Sequence, residues 1–493
     1  MISAVRPNPP APFPEGKGGL APPLGPVWLA TGLGLAVLIG SAPLEFMLPF
    51  VVAAATLVGM LIEPLVGLCA LLVAIPFSPS LGLEETTGAT TATPSISIFE
   101  PLALVMLSIW LARGMARQEI KIHQSGIATS LFFLLLTLLI AASSATSLTL
   151  ATKEILKWLL LGLVFLFTAL HVRDESRARL VLAVLFLAGS GHALMGVVQF
   201  FAGLGPPNFA VGDFMRAHGN FGQPNPFAGY LGTIFPLALA FSAVRGPASF
   251  RLLSLFTVLC TGLGIALSLS RGAWLGLAFG AAVMALVWSP RTRRLIVPTL
   301  AVGLLVGLFG AFGALPPALA ERLTSTAANF SIFDARQVQP TPENVAVVER
   351  MAHWQAGWEM FLDHPFRGVG PGNYPAVYDQ YSLPGWREAL GHAHNFYLNM
   401  AAEAGVPGLV ALLLLMGAAF RAIGAGLRTE DSGLRDRSVL SPQSSFSRAL
   451  LVGLLGSLVV LSTHNMFDNL LVHGVGIQVG MLLGLIGGEP SRW

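Results

Sequence analysis

The chain has 493 residues, 54% of them hydrophobic and 11% charged, with a formal net charge of +3; an ordinary soluble protein carries about 25% charged residues. That balance, with a mean hydropathy of +0.71, excludes a large soluble enzyme, and so small a net charge gives no reason to expect nucleic acid as a partner. Cys69 and Cys260 both sit inside apolar runs and imply neither a disulfide framework nor a thiolate metal site.

Residues 1–26 are rich in Pro and Gly and read as a disordered tail. No charged n-region leads into a short apolar core and a small-residue cleavage site, so the first membrane helix is expected to serve as the insertion signal. The apolar stretch over 27–77, broken at Pro43 and at Glu63-Pro64, reads as three short helices. Further apolar runs begin near 96, 128, 155, 180, 227, 252, 273, 295, 396, 449 and 471. A spanning helix needs about 20 mostly apolar residues. The expected fold class is therefore all-α, a polytopic transmembrane helical bundle of about 12–14 spans with one large extracytoplasmic loop containing short helices. The organisation is a cytoplasmic tail over 1–26, transmembrane helices over 27–313, the large loop over 314–397, and C-terminal transmembrane helices over 398–493.

Basic residues orient this bundle. Arg113, Arg117 and Lys121 share one connection; Arg173, Arg177 and Arg179 a second; Arg245 and Arg251 flank a third; Arg291, Arg293 and Arg294 fill a fourth; Arg421, Arg428, Arg435, Arg437 and Arg448 crowd the last. All five fall on one side of the expected spans, and the positive-inside rule makes that side, and both termini, cytoplasmic.

In the large loop, Thr341-Pro342-Glu343 reads as a helix start: an N-cap hydroxyl, Pro in the first turn and an acid to match the dipole. Val347, Met351, Trp354, Trp358, Phe361 and Leu362 then recur at helical spacing and predict one apolar face, lying on the membrane surface or the bundle top. Pro365 ends that helix. Gly368, Gly370 and Gly372 mark a turn-rich stretch, and their spacing is not that of a dinucleotide-binding loop.

The polar residues on the outer side carry the chemistry. Arg216 lies just before a helix and Arg271 at the mouth between two, where a charge is costly unless paired or facing water. Snorkelling to headgroups is the bland reading. Two arginines on the same side as His394 suggest an anion site instead, because guanidinium grips phosphate bidentately and keeps its charge. His394 is either a loop histidine bonding a carbonyl or a proton acceptor near neutral pH. His392-X-His394 with His218 is only a weak metal signal, lacking carboxylates or thiolates at defined spacings. His464, Asn465, Asp468, Asn469 and His473 at the last outer turn either line the same cavity or satisfy helix ends, the second being slightly favoured.

Together these residues resemble the O-antigen ligase and polymerase family of membrane glycosyltransferases. The resemblance rests on His394-Asn395 followed, after nine residues, by Gly405, two residues and Gly408. Arg350 and Trp354 ahead of Asp363-His364-Pro365 and of the GVGPGN run over 368–373 add to it. So do Ser270-Arg271-Gly272 before one helix and Arg216 with Gly219 and Asn225 before another. It covers roughly 205–415 and separates ligases from polymerases poorly. It implies an inverting, metal-independent transfer with no cofactor, at the outer face of the cytoplasmic (inner) membrane. A glycan moves from a polyprenyl-diphosphate donor to an acceptor hydroxyl on a lipid core, a glycan or a protein, as in lipopolysaccharide biosynthesis. In that scheme His394 is the general base and Arg216 and Arg271 hold the diphosphate. Asn395, His392, His218, Asn225, Gly405 and Gly408 support them. The alternatives are a surface-polysaccharide chain polymerase of the same family and, from other classes, a small-anion (bicarbonate-like) transporter or a scaffold. A carrier calls for internal repeats and broken helices at the bilayer midplane, and no clear repeat is seen.

Overall fold

The computed structural model describes residues 44–77, 80–81, 96–97, 99–118, 125–289, 292, 294, 332–341, 344–435 and 442–487. The tail over 1–26, most of the connection over 78–95, the run beginning near 295, the loop over 314–331 and the pair Pro342-Glu343 lie outside the described residues. By contacts the chain divides into residues 1–58 and 59–493. Within the first unit, residues 44–58 belong to helix α1 (Leu44–Ile62), whose Val51, Val52, Leu57 and Val58 side chains are exposed.

The second unit is helical throughout its core. Its helices are α2 (Leu65–Phe77), α3 (Phe99–Arg117), α4 (Gly126–Ala141), α5 (Leu148–His171), α6 (Glu175–Ala202), α7 (Pro224–Ser242), α8 (Ala248–Leu267), α9 (Arg271–Trp288), α10 (Val345–Asp363), α11 (Tyr374–Tyr381), α12 (Phe396–Arg435), α13 (Pro442–His464) and α14 (Val475–Gly487). Among the described residues the only strands are two two-residue antiparallel pairs. The chain is thus an all-α polytopic membrane protein.

Among the described residues, eight helices are long and apolar enough to cross a membrane: those at Phe99–Arg117, Gly126–Ser144, Leu148–His171, Glu175–Ala202, Ala248–Leu267, Arg271–Trp288, Phe396–Thr429 and Ser445–His464. The lower figure than the expected 12–14 has identifiable sources. The run near 295 is outside the described residues, and α2 and α14 are only 13 residues long. α7 has spanning length but carries Tyr230, Thr233 and Pro236, and nearly every side chain on it is buried by other helices.

Local sequence explains the helix starts. Ser125, Ser147 and Asp174 accept the backbone N–H of Ala128, Leu150 and Arg177, and Pro224 opens α7 where its missing N–H costs nothing. Helices approach closely where glycine removes the side chain: a Cβ at Gly480 would lie 2.5 Å from the Leu161 carbonyl oxygen, and one at Gly276 2.9 Å from that of Val460. α7 packs on α13 and α8, α9 on α13, α14 on α5, and α12 on α4.

Between α9 and α12 the chain builds the piece that covers one end of the bundle. The helix begins later than expected, at Val345 with Asn344 at its N-cap; Thr341 pairs with that asparagine in the turn ahead of it, its hydroxyl accepting the Asn344 N–H at 3.4 Å while Asn344 Oδ1 accepts the Thr341 N–H at 2.6 Å. α10 stops at Asp363, two residues before Pro365. Its buried face, however, is Val347, Val348, Met351, Ala352, His353, Ala356, Gly357 and Met360, whereas Trp358 and Leu362 are each 51% exposed. The expected face is rotated because small residues set the contact. Gly357 comes so near Ala393 that a Cβ would sit 3.3 Å from its methyl.

The glycine-rich stretch after α10 clamps onto α12. Val369 and Gly370 donate their N–H groups to Ala402 and Glu403 carbonyls, Val406 N–H bonds Pro365 O at 2.7 Å, and the buried Glu403 carboxylate accepts Gly372 and Tyr374 N–H groups. Gly405 sits at φ 65°, ψ −166°, a region closed to other residues, and a Cβ there would meet the Pro365 oxygen at 2.6 Å. Gly405 therefore shapes the scaffold.

Candidate functional site

Five segments meet at one end of the bundle: the connection after α6, the α8–α9 turn, α10, the turn before α12 and the turn after α13. They enclose a cleft of about 640 Å³, including the space at its mouth, lined by Arg216, Asn225, Ser270, Arg271, Gly272, Ala346, Glu349, Arg350, His394, His464 and Phe467. Three arginines against one carboxylate give it a strong positive bias. The fold thus brings together His394, Arg216, Arg271 and Asn225, residues up to 178 positions apart in sequence.

His394 is held from every side. It lies at φ 51°, the left-handed region that costs a non-glycine residue about 1–2 kcal/mol. Its N–H donates to His392 Nδ1 at 3.1 Å, and its carbonyl accepts Trp354 Nε1–H at 3.1 Å. The ring packs edge-on against His353 and His392. Asn395, next in sequence, caps α12: its Oδ1 accepts the Tyr397 and Leu398 N–H groups, both at 3.1 Å. The His-Asn pair thus has a plain physical logic. The asparagine starts the helix, and the residue before a cap is the one free to turn into a cavity.

Behind His394 stands Asp468, which is 4% exposed, with Oδ1 3.5 Å from His394 Nδ1 and 3.7 Å from His392 Nε2. Asp468 Oδ2 accepts Asn225 Nδ2–H at 2.7 Å, Asn225 Oδ1 accepts an Arg216 guanidinium N–H at 3.1 Å, and Arg216 Nε–H donates to Ser268 O at 2.8 Å. One polar chain therefore links a cleft arginine to the candidate base. Burial by itself raises the Asp468 pKa, but the bond from His394 and the neighbouring His394, His392 and His464 rings outweigh it and hold the carboxyl well below the usual carboxylate range. The tautomer with its proton on Nδ1 would face this carboxylate and leave the Nε2 lone pair free. That atom has no hydrogen-bond partner among the described residues.

Arg271 is 7% exposed and opens α9, and Gly272 beside it packs against the His464 ring. His464 Nε2 lies 3.4 Å from Ser270 Oγ. Arg350 and Glu349 come from α10. Burial pushes the Glu349 carboxyl up, His394 and Arg350 pull it down, and Glu388 adds to the rise. Burial, and then His394, push the His392 imidazole down to about 4, with Asp468 opposing.

Other sequence candidates fall elsewhere. His218 does not line the cleft; its Nδ1 lies 2.7 Å from Gln199 Oε1, which also accepts the Gly219 N–H. Gly405 and Gly408 belong to the clamp and to α12 packing. The last outer turn divides between its two readings: Asn465 and Asn469 accept backbone N–H groups within it, whereas His464 and Asp468 join the site. Of the residues in and behind the cleft, the sequence pointed to Asp468 and His464 only as one reading of the last outer turn and to Arg350 only as part of the run before the glycine-rich stretch; Glu349 left no signal.

His392, His394 and Asp468 place one ligand atom each within 4.8 Å of one another. This set fits a divalent cation poorly. Asp468 Oδ2 is engaged by Asn225, and the three arginines of the adjoining cleft repel a dication.

Residues 256–413, roughly a third of the chain, match the family model described as O-antigen ligase. Comparison with curated proteins returns no match. The matched stretch includes Arg271, Glu349, Arg350 and His394, while Arg216, Asn225 and Asp468 lie outside it.

Proposed function

We propose, from the match of residues 256–413 to the O-antigen ligase family model, that this multi-pass membrane protein transfers a glycan from a polyprenyl-diphosphate donor to an acceptor hydroxyl. The observation that carries the reading is the polar chain from Arg216 through Asn225 and Asp468 to His394 along a cleft lined by three arginines. The diphosphate lies against Arg216 and Arg271, whose fixed charges receive the leaving oxygen as the anomeric C–O bond breaks. His394 Nε2 takes the proton of the acceptor hydroxyl as its oxygen bonds the anomeric carbon from the opposite face, inverting that centre. Asp468 holds the ring and balances the imidazolium. The proton then leaves to water or to the departing diphosphate. Arginines take the charge-neutralising part that a dication plays in other transferases, so the proposal needs no metal or cofactor.

The five clusters of basic residues support a cytoplasmic placement of the other end of the bundle. The transfer is then assigned to the outer face of the inner membrane, with both termini cytoplasmic. Polymerisation onto a second lipid-linked glycan uses the same geometry. An anion carrier is supported less well. Next to the His394 turn, between α5, α12, α13 and α14, a cavity is lined mostly by apolar side chains such as Leu412, Leu415 and Leu458, with Ser462 and Asn465 the polar members and no charged group among them to hold an anion.

The test is reconstitution with a polyprenyl-diphosphate-linked oligosaccharide and a panel of lipid-core, glycan and peptide acceptors. Wild type transfers. His394→Ala inserts normally and loses roughly 10²–10⁴-fold, the usual contribution of a general base, and Arg271→Ala loses transfer as well. Full activity of His394→Ala removes the base from the scheme.

A further inference from the structure

Resting on the transferase reading, we propose that Glu349 is an acceptor-binding residue that accepts hydrogen bonds from hydroxyls of the incoming saccharide. Glu349 is the one carboxylate among the described residues that line the cleft. Its side chain is half-buried and has no hydrogen bond or ion pair among the described residues, although it lies within electrostatic reach of His394, Arg350 and Glu388. A carboxylate offers about four lone-pair sites and no donor when ionised. Left unused in a cleft, those sites match a ligand rich in O–H donors.

Placement separates the acceptor from the donor. The diphosphate is an anion, and a carboxylate beside it opposes its binding; hydroxyls carry no such penalty. The arginines assigned to the diphosphate sit at the mouths of membrane helices, Arg216 before α7 and Arg271 at the start of α9. Glu349 comes instead from α10, which contributes the wall of the cleft outside the spanning helices. It shares that wall with Ala346 and Arg350 and stands next to the base that must meet the attacking hydroxyl. A glycan arriving from the aqueous side crosses this wall to reach His394. Glu388, exposed and close enough to raise the Glu349 pKa, extends the acidic strip toward solvent.

The experiment measures how the donor glycan is partitioned. Reconstituted enzyme is given a polyprenyl-diphosphate-linked oligosaccharide, the saccharide acceptor from the panel that wild type uses, at a concentration below saturation, and methanol as a competing minimal acceptor with a single hydroxyl. Transfer to the saccharide and to methanol or water is counted in the same vesicles, so the ratio is independent of how much protein folds. In Glu349→Gln and Glu349→Ala the ratio shifts toward methanol and water by about 10–100-fold, the usual worth of a hydrogen bond to a charged group. The saccharide KM rises, and Glu349→Asp recovers part of the loss. An unchanged ratio with both products falling together overturns the assignment, because it places Glu349 on the base or the donor. A wild type that consumes no donor with any acceptor overturns the transferase reading itself, and this inference with it.

Discussion

Replacing Asp468 by Asn tests whether the carboxylate behind His394 contributes to turnover. Its Oδ1 is 3.5 Å from His394 Nδ1. Two full charges at that distance interact by roughly 5 kcal/mol at an effective dielectric of about 20. If about half of the imidazolium charge has developed in the transition state, roughly 2–3 kcal/mol of that is felt, which is about 10²-fold in kcat. A second effect adds to the first. Asn225 donates to Asp468 Oδ2; an asparagine at 468 that keeps this bond through its oxygen turns its amide toward His394 Nδ1. That favours the tautomer with the proton on Nε2, where the lone pair is needed. The expected loss is therefore at least about 10²-fold in kcat, with a smaller change in donor KM. Initial rates of glycan transfer in proteoliposomes give kcat and KM, and fluorescence-monitored melting confirms folding. A folded Asp468→Asn enzyme within twofold of wild type would refute the dyad, and the proton would then need another route.

Three further outcomes follow from the same geometry. Gly405→Ala forces a Cβ into a conformation essentially restricted to glycine and against the Pro365 oxygen. The dihedral alone costs about 1–3 kcal/mol, so Tm falls and the clamp on α12 loosens, and a Tm equal to wild type argues against the clamp. His392 accepts the His394 N–H on Nδ1, and its pKa is lowered to about 4. A depressed histidine contributes stability that is present above its ordinary pKa near 6.5 and is lost as pH falls toward about 4. His392→Asn keeps an acceptor near the Nδ1 position without the titration, so the fall in Tm across that window should shrink. Finally, extensive chelation followed by assay in metal-free buffer should leave transfer unaffected, and restoration of a lost activity by a divalent cation would reassign His392, His394 and Asp468 as ligands.

Local signals in the sequence were read well where one short stretch decides the outcome. Pro365 stops α10 where expected, and Thr341 marks its approach by pairing with Asn344 at the N-cap, because turn hydrogen bonds and proline sterics act over a few residues. The expected face of α10 differs from the buried one because Trp358 and Leu362 dominate any tally of apolar residues, whereas Gly357, against Ala393 and Leu398, sets how near the turn before α12 and α12 itself can come. Among the described residues eight helices have spanning length and hydropathy, while α7 is packed on nearly all sides by neighbours and α2 and α14 are short.

By itself the sequence determined the membrane-protein class, the charge asymmetry of its connections and the identity of His394, Arg216 and Arg271 as chemically conspicuous groups. Desolvating a charge or an imidazole is costly wherever it happens, so such residues stand out without coordinates. Only the tertiary structure decided which groups act together. Nothing in sequence spacing joins Asp468, in the turn after α13, to Asn225, in the first turn of α7, until α7, α12 and α13 converge and the 3.5 Å contact with His394 and the 2.7 Å bond between them form. Electrostatic coupling depends on separation in space, and a hydrogen-bond chain joining residues 216, 225, 468 and 394 has no counterpart in sequence spacing.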